Sequence, residues 1–319
     1  MMSKIVQNGE KGFKNYLDLP GELRSMVIEE LPIDDRGRFS GCSMVCNIEV
    51  KASKDYVESL TFECYDSDRV EITVSHGGSI PYTGYTVEFS DLFGTKYMEW
   101  SSPVNNERHR LLLDPSTNVI EEASEHFKML LKKYQRSIKK LVLFTLGFNE
   151  DLMLPDMKIT RMNNLEELEV CGHFNYQQFL AKTRKPLKKL SINGCSLKEL
   201  DLDMVYEVQD EVIMDSLKIN KSQFAQLSAK NIYAHIGALT EQDIFEIIKS
   251  WQQGTFGREV EEFRWNLESS NFNVPQLFRL LGASDRVRRL QLDLPHFNTP
   301  DKIGKLNSFP NLLTVKFQN

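Results

Sequence analysis

One short apolar unit returns throughout the last two thirds of the chain, and it constrains the fold more than any other feature. The unit is apolar, two variable, apolar, one variable, apolar. It reads Ile138-Leu141-Leu143, Leu165-Leu168-Val170, Leu187-Leu190-Ile192, Met214-Leu217-Ile219, Val260-Phe263-Trp265, Val287-Leu290-Leu292 and Leu312-Val315-Phe317. Ala229-Ile232 reads as a degenerate copy. Counted from the first residue of each, the steps are 27, 22, 27, 46, 27 and 25, and the degenerate copy falls inside the long step. The last two apolar positions are two apart, so both side chains leave one face of a strand. A strand this short cannot bury its apolar side alone. Such units must stack on one another.

Steps of about 20–29 residues around this core have the form of leucine-rich repeats. The return segments read as helices. Asn175 to Thr183 carries Tyr176, Phe179 and Leu180. Thr240-Glu241-Gln242-Asp243 has the form of a capping box ahead of Ile244, Ile247, Ile248 and Trp251, with Gly254 beyond the end. Val274 to Leu281 has Pro275 in its first turn and Gly282 after it, and Thr299-Pro300 starts another helix. A longer amphipathic helix precedes the repeats. Asp114 or Ser116 can cap it, and Val119, Ile120, Ala123, Phe127, Leu130, Leu131 and Tyr134 share its apolar face. The pattern predicts a curved α/β solenoid over 111–319. The spacing is irregular and the asparagine ladder of regular repeats is largely missing, so a distorted arc is expected.

Two other rhythms precede this one. Between 54 and 110, Val70, Ile72 and Val74, then Tyr85, Val87 and Phe89, alternate at period two. Turn residues at Tyr65-Asp66-Ser67-Asp68 and Gly77-Gly78-Ser79 separate the runs, which predicts half-buried antiparallel strands. Between 15 and 53 the pattern is helical. Leu23, Val27 and Leu31 recur every fourth residue, flanked by Met26 and Ile28, behind Asp18 as a cap and Pro20 in the first turn. Pro32 ends that helix, and Asp34 or Asp35 can cap a second one carrying Phe39, Cys42, Met44, Val45, Ile48 and Val50. Two short helices leave an apolar stripe uncovered. The rest of the chain or another protein must bury it.

Composition narrows the function classes. At 319 residues the chain can bury a large core without disulfides or a structural metal. Lys and Arg number 39 against 45 Asp and Glu, a net charge of −6, where a nucleic-acid coat would usually be basic. No nucleic acid is expected as a partner. No apolar run approaches the length of a membrane helix, and Met1 to Tyr16 has no leader pattern, so no membrane partner is expected either. The five cysteines (42, 46, 64, 171 and 195) are odd in number and scattered, which suits the cytoplasm or the nucleus.

No catalytic constellation stands out, so the chain is expected not to be an enzyme. The six histidines are dispersed, Cys42 and Cys46 sit one helical turn apart as packing residues, and Gly77-Gly78 lacks the end of a phosphate loop. No metal and no cofactor are expected. Trp251 and Trp265 fall on apolar faces and read as core, and the basic and acidic clusters read as solvated faces.

The N-terminal segment resembles an F-box. The residues that carry the likeness are Leu19-Pro20, Glu22-Leu23, Val27-Ile28, Leu31-Pro32, Asp35, Phe39-Ser40 and Cys42-Ser43, a spacing similar to nematode F-boxes. A second stretch resembles the nematode F-box-associated region, type 2. It comprises Leu239-Thr240, Asp243-Ile244, Lys249, Trp251, Gly254 and the acidic-apolar run Glu259 to Phe263. The resemblance implies a substrate receptor of a ubiquitin ligase. Leu19, Pro20, Leu23, Val27, Ile28, Leu31, Phe39 and Cys42 would contact a Skp-type adaptor, which bridges to cullin and RING subunits. The C-terminal region would hold a protein substrate whose contact residues the sequence does not reveal. The expected fold class is α/β: an N-terminal helical F-box (15–53), a strand-rich connector (54–110) and an irregular leucine-rich-repeat-like solenoid (111–319). The rival reading is a repeat-like module that masks its target without recruiting a ligase.

Overall fold

Alternation of buried and open side chains runs through most of the central strands and sets the architecture. In the computed structural model, residues 57–76, 84–102, 107–146, 162–172, 177–183, 186–194, 207–218, 220–235, 239–255, 260–267, 272–283, 291–295, 303–309 and 312–318 are described. So are Tyr16, Leu19, Leu23, Arg24, Val27, Ile28, Leu31, Phe39 and Cys42. Five strands come first: β1 (Val57–Asp66), β2 (Arg69–His76), β3 (Gly84–Leu92), β4 (Thr95–Ser102) and β5 (Glu107–Leu112). They form an antiparallel meander, each paired with the next. Leu60, Phe62, Val70, Ile72, Val74, Val87 and Phe89 are buried on one face. Asp66 shapes the first turn by accepting from the Asp68 amide at 2.8 Å.

Helix α1 (Val119–Tyr134) returns across that meander. Its cap is Asn118, neither of the two residues expected. The Asn118 side chain accepts from the amides of Ile120 and Glu121, while Asp114 is spent holding the preceding turn through the Ser116 amide and hydroxyl. The expected apolar face is the face that packs. Phe127 meets Phe62 edge-on at 5.1 Å, and Ala123, Leu130, Leu131 and Tyr134 are buried with it.

The helix delivers β6 (Lys140–Thr145) to the free side of β1, parallel to it, with Leu60 opposite Leu141 and Phe62 opposite Leu143. Strands β7 (Glu167–Cys171), β8 (Lys189–Asn193), β9 (Glu211–Lys218), β10 (Asn231–His235) and β11 (Glu262–Asn266) then add in chain order, all parallel. Short helices lie between them: α2 (Gln177–Leu180), α3 (Lys221–Phe224) and α4 (Glu241–Gln252), with α5 (Val274–Leu280) after β11. Of the helix expected at Asn175 to Thr183, the described part is the single turn Gln177–Leu180, and Asn175 and Tyr176 lie outside the described residues. At the far end β12 (Gln291–Pro295) forms the outer edge, and β13 (Ile303–Phe309) and β14 (Leu312–Gln318) return inward. Strand β14 lies against β11 and runs antiparallel, with Phe263 opposite Val315 and Trp265 opposite Leu313.

These pairings overturn the expected fold class. The chain is strand-rich, and the fourteen strands among the described residues make one mixed sheet, in the order β12-β13-β14-β11-β10-β9-β8-β7-β6-β1-β2-β3-β4-β5. It is not a helical F-box followed by a connector and a solenoid. Two facts decide this. The stretch expected as a connector supplies five strands of the same sheet, because the edges of β1 and β6 satisfy each other's backbone groups. And the last apolar unit does not continue the parallel series. Residues 303–309, placed beyond the expected helix start at Thr299-Pro300, are extended, so the chain closes the sheet with an antiparallel hairpin.

The core is a single layer along the covered face. Trp265, 0% exposed, packs on Phe263 at 5.4 Å and Phe224 at 5.6 Å, and Trp251 is buried on α4. Both tryptophans are therefore core, as expected. Trp100 is half-buried between Tyr85 and His109. At the C-terminal ends of β6 and β7 the chain turns at Gly172, whose φ is +105° and where a Cβ would collide with Thr145 Oγ1. Only glycine fits there. Among the described residues no helix is long and apolar enough to cross a membrane.

Candidate functional site

The strand positions between the buried ones line the other face of the sheet, which no described helix covers. Backbone register groups them into rows. One row runs Lys140, Glu167, Lys189, Glu211, Asn231, Glu262 and Lys316 across β6 to β14. Opposite charges alternate along its first half, and ion pairs lace it together. Lys140 lies 3.0 Å from Glu169, and Lys189 lies 3.4 Å from Glu169 and 3.1 Å from Glu211. Burial pushes the Glu169 carboxyl up, but the two lysines outweigh it, and it sits below the usual carboxylate range.

The meander carries the opposite arrangement. Glu63, Glu71, Glu88 and Glu99 stand abreast on β1 to β4. Arg69 reaches Glu88 at 3.2 Å and Glu71 at 3.7 Å, and Arg110 closes the row on Glu99 at 2.6 Å. Glu71 is raised above its ordinary value, by burial first and by Glu63 second. The Tyr65 hydroxyl donates to Glu63 at 2.6 Å, and that bond lifts the tyrosine to about 12.

A groove of about 540 Å³ opens on this face over β9, β10, β11 and β14. Ile213, Tyr233 and Leu312 supply its apolar lining. Glu211, Asn231 and Glu262, neighbours in the first row, line it beside them. Arg264 completes it, donating to Glu262 at 2.9 Å, and that carboxylate raises the guanidinium above its ordinary value. The volume lies in the range of ligand sites, and the lining mixes apolar with charged side chains.

The residues expected at the adaptor contact lie at the other end of the chain. Leu23, Arg24, Val27, Ile28 and Phe39 are helical. Ile28 is 1% exposed but does not belong to the core along the sheet, whereas Leu23 is 39% exposed. Leu19, Val27, Leu31 and Phe39 are half-buried and Cys42 is exposed. Phe39 meets Tyr16 edge-on at 4.8 Å. Pro20 lies outside the described residues, as do the cap positions Asp18, Asp34 and Asp35. Sequence reasoning did not find Ile213, Tyr233, Glu211 or Arg264. Their only signal is the outward phase of period-two strands.

Among the described residues no three His, Cys, Asp or Glu side chains gather as a metal site would require. Burial, then Asp66, pushes the Cys64 thiol up to about 11, and burial raises Cys171, so neither is an activated nucleophile. His126 is lowered chiefly by burial and packs on Phe89 at 5.6 Å. Comparison with protein-family models, with curated proteins and with solved structures finds no match to this chain.

Proposed function

We propose that this chain is the target-holding subunit of a Skp–cullin–RING ubiquitin ligase. The segment from Leu19 to Cys42 takes the adaptor, and the open face of the sheet takes a protein target. The observation that carries the reading is the ordered set Leu19-Pro20, Glu22-Leu23, Val27-Ile28, Leu31-Pro32 and Cys42-Ser43, followed far downstream by Leu239-Thr240, Asp243-Ile244 and Trp251. Two unrelated motifs in one order are a specific coincidence. The helical state of Leu23 and Val27 and the exposure of Leu23 support it, because an adaptor-binding helix must offer apolar side chains to a second chain. Burying such side chains stabilises a complex by about 1.5–3 kcal/mol each before ordering costs.

In this reading the chain transfers nothing itself. It raises the effective concentration of its target beside a conjugating enzyme that the ligase recruits. It works where cysteines stay reduced, in the cytosol or nucleus. The test is recovery of the purified adaptor on the full chain and on a Leu19→Ala/Pro20→Ala/Leu31→Ala variant. The wild type retains adaptor and the variant loses it. Equal, background-level recovery from both overturns the reading and leaves target masking without a ligase in its place.

A further inference from the structure

We propose that the outer edge of β5 takes an extended segment of another protein as an added strand, paired antiparallel, with an acidic side chain opposite Arg108. This surface lies apart from the groove, and the inference stands whether or not the chain serves a ligase. Strand β5 ends the sheet among the described residues. The Leu113 amide donates to the Lys96 carbonyl of β4 at 2.9 Å. Peptide groups alternate in direction along a strand, so the N–H and C=O of Arg108, Arg110 and Leu112 point away from β4. Those groups are the template a further strand needs. Every side chain from Arg108 to Leu112 is exposed. Leu111, 57% exposed, lies opposite Met98 on the covered side, and Leu112, 68% exposed, lies opposite Tyr97 on the open side. The other end of the sheet is guarded, since β12 carries Asp293 and stops at Pro295. Strand β5 has neither a proline nor a bulge.

The two arginines of β5 decide between occupants. Arg110 is spent on Glu99, donating through Nε at 2.9 Å and Nη2 at 2.6 Å, and its guanidinium lies over the Tyr97 ring at 4.2 Å. Arg108 stands 3.6 Å from Glu99, outside hydrogen-bond reach, and its side chain is 75% exposed. Its planar fork is open to a carboxylate on an added strand. A second copy of this chain is the poorer fit. Two β5 strands paired antiparallel over Arg108 to Leu112 set Arg110 directly against its own counterpart, and like charges directly opposite are destabilising. An extended segment with apolar residues facing Leu111 and Leu112 and a carboxylate facing Arg108 meets backbone, apolar side chains and charge together.

The experiment uses the full chain and the blocked peptide Val-Val-Thr-Thr-Glu, followed by ligand-observed NMR at low salt. In the matching register its residues face Leu112 to Arg108 in that order. The peptide broadens in the presence of the protein, and no broadening at millimolar concentration overturns the inference. Methylating the third amide nitrogen of the peptide, which points at β5, abolishes binding, whereas methylating the fourth, which points away, leaves it. Equal effects of the two overturn the strand pairing. Replacing the glutamate by lysine weakens binding several-fold, and unchanged binding there overturns the inference too. On the protein, Leu112→Pro removes an outward N–H and no bond to β4, so the chain keeps its melting midpoint and loses the peptide. A folded variant that binds at wild-type strength overturns the inference. Should it not fold, the two methylated peptides decide, since they leave the protein unchanged. A wild-type dimer on size exclusion that Leu112→Pro dissolves makes a second copy the occupant and overturns the inference as well. Adaptor recovery is independent of this edge, so its failure is distinguishable from failure of the ligase reading.

Discussion

Glu71 shows how one residue records its neighbours. It stands between Glu63 and Glu88 in a row of like charges, with Arg69 as its nearest cation at 3.7 Å. Like charges directly opposite on adjacent strands are destabilising by a few tenths to about 1 kcal/mol. The carboxyl's elevation, from burial first and Glu63 second, is the titration signature of that cost. The sign follows. A folded-state value above the unfolded one means protonation favours the fold. That contribution is full below the unfolded value and is lost as pH rises through the folded one. At neutral pH the ionised Glu71 therefore costs stability. We expect Glu71→Gln to raise the stability of the chain at pH 7 by roughly 0.5 kcal/mol. The gain shrinks as the wild-type carboxyl protonates in acid. Paired denaturation curves at pH 7 and pH 4 check this, and a loss of stability at pH 7 contradicts it. Glu169, on the same face, has the opposite sign, because two lysines flank it and hold it ionised.

At the scale of elements, helix α4 is the best-specified piece of the chain. Thr240 Oγ1 accepts from the Asp243 amide at 3.2 Å, and the Asp243 carboxylate accepts from the Thr240 amide at 2.9 Å and its hydroxyl at 2.6 Å. Burial pushes Asp243 up, but these bonds outweigh it and hold the carboxyl below its usual range. Behind the cap, Ile244, Ile247, Ile248 and Trp251 join the core. Thr240→Ala should cost about 1 kcal/mol, read as a lower denaturation midpoint with unchanged slope. An unaltered midpoint would show that the helix is held by its packing alone. This helix was legible because cap, stripe and terminal glycine all lie within fifteen residues. Most strands were legible for the same reason, since period-two burial is a local signal. Strand β13 was not, because Thr299-Pro300 reads as a helix start. Strand β9 buries Val212 and Met214 rather than starting a unit at Met214. The pairing of the strands was not legible. Leu60 bonds across to the strand of Leu141, and Trp265 to that of Leu313, and no local pattern announces partners so distant in the chain. The last apolar unit looked like one more parallel copy, yet β13 turned it antiparallel. The groove was hidden for a related reason. Glu211, Tyr233 and Arg264 are each ordinary outward positions, and only the register of three strands makes them neighbours.

For the whole molecule, the decisive junction is β1 with β6. Strand β1 is bonded on one side to β2 and on the other to β6, so the meander and the parallel series share one sheet. Helix α1 reinforces the junction. It follows the meander in sequence, yet its Phe127 packs on Phe62 of β1 and its His126 on Phe89 of β3. A chain shortened to residues 111–319 keeps α1 but loses the surface it covers. It also leaves the edge of β6 without a partner from Ser59 to Cys64. Each large apolar side chain of α1 then returns to water at about 1.5–3 kcal/mol, and the open edge offers a template for pairing between copies. We expect the shortened chain to elute from size exclusion as oligomers or aggregate, while the full chain stays monomeric under the same conditions. A shortened chain that elutes as a folded monomer, with a melting transition as steep as the parent's, would show that the parallel series stands alone and that the junction contributes little to the cohesion of the sheet.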